Sequence, residues 1–164
     1  MIRGEALAIR AFLHFDLLRG WGPANYAGNE SVREMKCIPY RTVADHSKQP
    51  QLPASEVLAN IISDLKEARE CLDYEKELDL SDRIEGRHMR FNYHAINALL
   101  ARVYNYAGIK DSAAMYANQV IEECGLTLQT SNYNDPILSK ELICGLSMHE
   151  LEDNLSDYFA VGEK

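Results

Sequence analysis

A chain of 164 residues is long enough for one domain with a sizeable core. At 46% hydrophobic and 26% charged, its composition is that of a globular protein rather than a disordered or fibrous one. The net charge of -8 leaves no basic patch to neutralise phosphates, which argues against a nucleic-acid surface or an anionic membrane surface. No apolar run approaches the roughly 20 residues that a membrane span needs. The start, MIRGEALAIR, carries Arg3, Glu5 and Arg10, runs straight into a helical pattern and does not read as a signal peptide. Cys37, Cys71, Cys124 and Cys144 show neither a CxxC nor zinc-like spacing and read as free thiols, a disulfide staying open if the parent protein is exported.

The first predicted element is a helix over residues 4–19, GEALAIRAFLHFDLLR. Ala8, Ala11, Phe12, Phe15 and Leu18 make one apolar stripe, and Leu7, Ile9, Leu13 and Leu17 make its flanks. A helix this apolar is covered on more than one side, by neighbours elsewhere in the chain or by a part of the parent missing from it. Gly20-Trp21-Gly22-Pro23 ends it. A long insertion follows over residues 20–52, its polar and turn-rich stretch starting at residue 24, in which only Ile38-Pro39-Tyr40 looks like an extended anchor. Loops longer than about 12 to 15 residues are functional or mobile, so this one is the candidate binding surface.

A second helix is predicted over 53–72, with Pro53 in its first turn, Glu56 near its N-terminus and a buried stripe of Val57, Ile61, Leu65, Ala68 and Leu72. The linker at 73–91 is acidic in its first half and basic in its second, which suggests solvation. From Asn92 to Cys124 the pattern is a helical hairpin. Ile96, Leu99, Leu100, Val103 and Tyr104 face inward on its first helix, Gly108 serves as a left-handed cap, and Asp111 with Ser112 starts the second helix. On that second helix the inward stripe reads as Ala113, Ala114, Ala117, Val120 and Ile121. Tyr104, Gly108, Ala113 and Ala117 have the spacing of a tetratricopeptide (TPR) hairpin, without its signature tryptophan. The fold class is therefore all-α: four long helices as two TPR-like hairpins over 1–124, then an irregular region over 125–164 that looks truncated. Within that region Leu126–Thr130 reads as extended, Asn132–Pro136 as a turn cluster, 141–146 as a buried strand or short helix, and the tail shows no clear period.

Chemistry-bearing patterns are few. No GxSxG, HExxH, P-loop or GxGxxG occurs, His149-Glu150 lacks a second histidine at the right offset, and Asp79, Asp82 and Glu85 lack the ligand order of a calcium loop. The reading is of a non-enzyme with no metal and no cofactor. Arg10 and His14 share a helix face and read as a polar strip or a hydrogen-bonded helix contact; His94 reads as a cap or surface residue, and Arg102 as a buried structural ion pair with Asp64. Sugar sites stack aromatic faces on the apolar face of a pyranose and use planar polar groups for its hydroxyls. Trp21, Asn25, Tyr26 and Tyr40, in or beside the insertion, are the candidate ligand-binding residues. Against that, Trp21 could wedge the end of the first helix and Tyr40 could anchor the loop.

Five linked segments resemble the SusD/RagB family of nutrient-binding lipoproteins. They are GEALAIRAFLHFDLLRGWGP at 4–23, Cys37-Ile38-Pro39-Tyr40, the helix at 53–72, RFNYHAINALLARVYNYAG at 90–108 and SKELICGL at 139–146. The resemblance implies TPR-like hairpins packed on a larger, irregular C-terminal part. It also implies a surface-exposed protein of the outer membrane that captures glycans or other large nutrients beside a TonB-dependent SusC-like transporter. Contact with the membrane would run only through a lipid anchor that this chain lacks, and the chain looks like an internal or truncated fragment, chiefly scaffold. The resemblance carries no binding residue onto Trp21, Asn25, Tyr26 or Tyr40. The rival reading is a TPR-like adaptor that takes a protein or peptide in a helical groove.

Overall fold

The structure, a computed structural model, describes residues 1–82, 86–128 and 139–145. Four long helices form where the periodicity places them: α1 (Ile2–Trp21), α2 (Ala54–Cys71), α3 (Tyr93–Ala107) and α4 (Lys110–Glu123). α1 packs on α2 and α3 on α4, and α2 against α3 joins the two pairs. Small residues permit the close approach of the first pair: Ala8 and Ala11 on α1 and Ala54 and Ala68 on α2 are fully buried. At Gly4 a Cβ atom would lie 2.9 Å from the Cβ of Cys71 and 3.1 Å from the carbonyl oxygen of Ala68, so no larger residue fits there. The predicted α2 stripe of Val57, Ile61, Leu65, Ala68 and Leu72 is wholly buried.

The second hairpin is capped at both ends of α3. The Asn92 side-chain oxygen accepts from the Ala95 N–H at 2.8 Å, and Gly108 takes the left-handed conformation with φ 80°. A Cβ at Gly108 would come within 2.9 Å of the Ala27 Cβ, so the turn also seats the insertion. On α4 the buried residues are Tyr116 and Val120, while Ala114 and Ile121 of the expected stripe face solvent. The Tyr116 ring stacks on Tyr104 with centroids 5.6 Å apart and planes 6° apart, and burying that ring rotates Ile121 outward, to 73% exposure.

Between α1 and α2 the insertion is partly ordered. β1 (Lys36–Ile38) and β2 (Leu52–Pro53) pair antiparallel, and Ile38 and Tyr40 are buried in the main core. The linker at 73–91 is not merely solvated. Its basic half binds its acidic half: Arg87 donates to both carboxylate oxygens of Glu75 at 2.8 and 2.6 Å. Glu5 of α1 lies beside them, 3.2 Å from Arg87 and hydrogen-bonded by Arg90, and both glutamates are buried. His94 is fully buried rather than a cap, with Nε2 2.8 Å from the Leu78 carbonyl, which makes Nε2 the protonated nitrogen. Residues 126–128 form no strand. Ser139–Glu141 is a 3-10 turn, and residues 142–145 follow without regular structure, held by the Gly145 N–H to His88 at 2.8 Å and by Asn92 Nδ2 to Ile143 at 2.9 Å. The turn cluster Asn132–Pro136, Glu85, His149-Glu150 and the tail lie outside the described residues.

Among the described residues α1 is covered on one side, not on more than one as its apolar composition suggests. Leu7, Ala8, Ala11, Phe15 and Leu18 are buried, whereas Ile2, Ile9, Leu13, Leu17 and Trp21 are exposed along its length. Ile61→Ala should cost about 3 kcal/mol, as a full cavity in the core does. Ile121→Ala should stay within about 0.5 kcal/mol, as an exposed site does. Chemical denaturation of the two variants checks the orientation of α4.

Candidate functional site

The insertion is fastened to the helices at Asp64, which α2 places between the buried Ile61 and Leu65. Its carboxylate accepts from Arg10 Nε at 2.6 Å, from Arg10 Nη2 at 2.7 Å and from the Tyr40 hydroxyl at 2.5 Å. The hydrogen bond to Asp64 raises the Arg10 pKa above its ordinary value, against the opposing effect of burial. Burial first, and then the bond to Asp64, push the Tyr40 phenol far above its usual range. Tyr40 therefore stays a neutral donor to a charged acceptor, a stronger bond than one between neutral groups.

His14 completes the anchor. Its Nδ1 lies 2.8 Å from the Arg10 carbonyl and must donate; its Nε2 accepts the Arg41 N–H at 3.0 Å. The imidazole lies against the Tyr40 ring, centroids 4.1 Å apart. Arg41 then organises the next loop, donating to Ser47 O at 3.0 Å and to Asp45 Oδ1 at 2.7 Å. The polar strip read from Arg10 and His14 is thus a hydrogen-bonded helix contact with two partners that spacing did not reveal, Tyr40 and Arg41. Arg102 is not the partner of Asp64. It is exposed on α3, and Arg10 occupies both carboxylate oxygens.

The start of the insertion is built on a second aromatic pair. The Tyr26 ring stacks on Tyr106 of α3 with centroids 5.4 Å apart, and the Arg33 guanidinium lies 5.5 Å from the Tyr26 ring. Burial raises the pKa of both phenols. Asn25 is exposed and takes a left-handed φ of 57°, a conformation asparagine tolerates, and its carbonyl accepts the Asn29 N–H at 3.1 Å. Trp21 ends α1 and is 72% exposed, so it does not wedge the helix end. Of the four candidate ligand residues, then, Tyr26 and Tyr40 are buried supports of the loop and Trp21 and Asn25 stand at its surface; the four do not share one exposed platform. Tyr106, the partner of Tyr26, is a contact that helical periodicity alone does not signal. Among the described residues no group of three or more His, Cys, Asp or Glu side chains could hold a metal, and no helix is long and apolar enough to cross a membrane.

Two helical hairpins thus carry a long insertion pinned by buried tyrosines, an all-α scaffold. Residues 1–105 match the SusD-like family described as starch-binding and associating with the outer membrane, and the chain belongs to that family. A SusD-like protein of Formosa agariphila is 27% identical over 141 residues, which are 85% of this chain and 24% of that protein. The crystal structure of a SusD superfamily protein from Bacteroides thetaiotaomicron is 26% identical with a TM-score of 0.62, over 80% of this chain and 26% of that one. A SusD-like carbohydrate binding protein from Bacteroides vulgatus, 24% identical, shares the fold with a TM-score of 0.62 over 79% of this chain and 26% of its own. The chain spans about a quarter of the length of each of these relatives.

Replacing Asp64 by Ala should destabilise the protein by about 3 kcal/mol, because it strands Arg10 and Tyr40 without their acceptor. Arg102→Ala should change stability by no more than about 0.5 kcal/mol. Equal losses in thermal unfolding would restore the rejected pairing of Arg102 with Asp64.

Proposed function

We propose that this chain is the helical scaffold of a SusD-type glycan-binding protein and that Trp21, with Asn25 beside it, meets the sugar. The observation that carries the reading is the exposure of the protein's one tryptophan at the rim of the insertion, in a chain whose family binds starch. An indole face stacks on the apolar face of a pyranose, and a side-chain amide can both donate to and accept from its hydroxyls. Tyr26 and Tyr40 serve the site from beneath, by holding the backbone on either side of the loop. The family's association with the outer membrane favours a surface-exposed, lipid-anchored parent that delivers glycan to a TonB-dependent SusC-like transporter. The rival, a TPR-like adaptor for a protein or peptide, draws on the exposed row of Ile2, Ile9, Leu13 and Leu17, which a partner helix could cover.

Trp21 is its own reporter. Titration with maltoheptaose should quench or blue-shift its emission saturably. Trp21→Ala should weaken calorimetric binding by at least about tenfold, the loss of one stacking contact, with the melting temperature unchanged. Binding that survives Trp21→Ala would put the site elsewhere, and silence toward a wide glycan panel would favour the adaptor.

A further inference from the structure

A second feature of the surface is unrelated to the insertion. α1, α3 and the segment at 139–145 enclose a cleft of about 170 Å³. Phe12, Phe91, Leu99, Ile143 and Cys144 form its apolar walls, with Arg102 among its lining residues. The two phenylalanine rings stand 5.8 Å apart, centroid to centroid, and tilted by 55°. Burial raises the Cys144 thiol above its ordinary pKa, so it is neutral and serves as wall rather than nucleophile.

Arg102 is the anomaly. Every other described arginine is engaged by a carboxylate or an amide oxygen. Arg102 has no hydrogen-bond or ion-pair partner among the described residues, although the chain carries 25 acidic residues against 17 basic ones. A guanidinium is a planar donor suited to two-point binding of a carboxylate. Set beside an apolar cleft, it selects a ligand that has both an anionic head and an apolar body. The size is also selective, since an apolar cavity of about 150 Å³ accommodates a benzene molecule.

We propose that this cleft is a binding site for a small monocarboxylate bearing one aromatic or short aliphatic group. The carboxylate pairs with Arg102 and the apolar body lies against Phe12 and Phe91. The site is separate from the one proposed for sugar: Phe12 and Trp21 are nine residues apart on α1, about 13.5 Å along the axis and half a turn round it. A neutral glycan has neither the charge for Arg102 nor the compact apolar body for the cleft.

The probe is 3-phenylpropanoate, compared with the neutral 3-phenylpropanamide by NMR on the full chain. The acid should shift the Ala95, Ala98 and Cys144 signals saturably, with a Kd on the order of 1 mM for so small a ligand. The amide should bind about tenfold more weakly, the effect of one charge-assisted contact. Arg102→Gln, at an exposed position, should keep the spectrum of the folded protein and erase the preference for the acid. The proposal is overturned by an absence of saturable shifts, by equal binding of acid and amide, by a preference that persists in Arg102→Gln, or by shifts confined to the insertion around Trp21.

Discussion

Three parts of the chain meet at one carboxylate. Asp64 on α2 receives Arg10 from α1 and Tyr40 from the insertion, and His14, one turn beyond Arg10, receives the backbone of Arg41. Burying a carboxylate is expensive, and here three donors, two from the Arg10 guanidinium and one from the Tyr40 hydroxyl, offset the loss of water. The geometry then does what a purely apolar contact between α1 and α2 could not: it selects one register for the helices and one place for the loop. Apolar packing alone would tolerate a shift along the alanine-rich interface.

With that point fixed, the insertion becomes part of the fold rather than an appendage to it. β1 and β2 close its second half, and the Tyr26–Tyr106 stack, with Ala27 against Gly108, ties its first half to the second hairpin. The α3–α4 pair thus acts as a buttress for a loop that α1 and α2 carry. The tyrosines flanking the loop are spent on attachment, which leaves Trp21 as its free aromatic surface. Such a division of labour suits a scaffold in which rigid helices position a contact residue at the edge of an element rather than in a floppy strand of loop.

Periodicity reads local structure well, and it found the α2 stripe, the Gly108 cap and the extent of all four helices, because each depends on residues a few positions apart. It also led to an expectation of cover on more than one side of α1, which is not met among the described residues, where Ile9, Leu13 and Leu17 are exposed. What it could not read was choice of partner. Asp64 has two arginines of suitable character, Arg10 and Arg102, and only the packing of α1 on α2 decides between them. The same holds for the linker at 73–91, whose opposed charges looked solvated in one dimension and pair through Arg87 and Glu75 in three. On α4 the alanines suggested one face, and a single large contact, Tyr116 on Tyr104, turned the helix to another. The candidate residues near the insertion were chosen by type alone, as aromatic and amide groups. Which of them face solvent depended on Asp64 and Tyr106, and neither belongs to that stretch of sequence.

The most direct test of this account is amide hydrogen exchange in the wild type and in Asp64→Asn, a variant close in shape that removes the charge holding Arg10 and Tyr40. If Asp64 is the fastening point, exchange should quicken at Arg41 and across the β1–β2 pair while the α3–α4 hairpin keeps its protection. Uniform loosening of all four helices, or no change at Arg41, would contradict it.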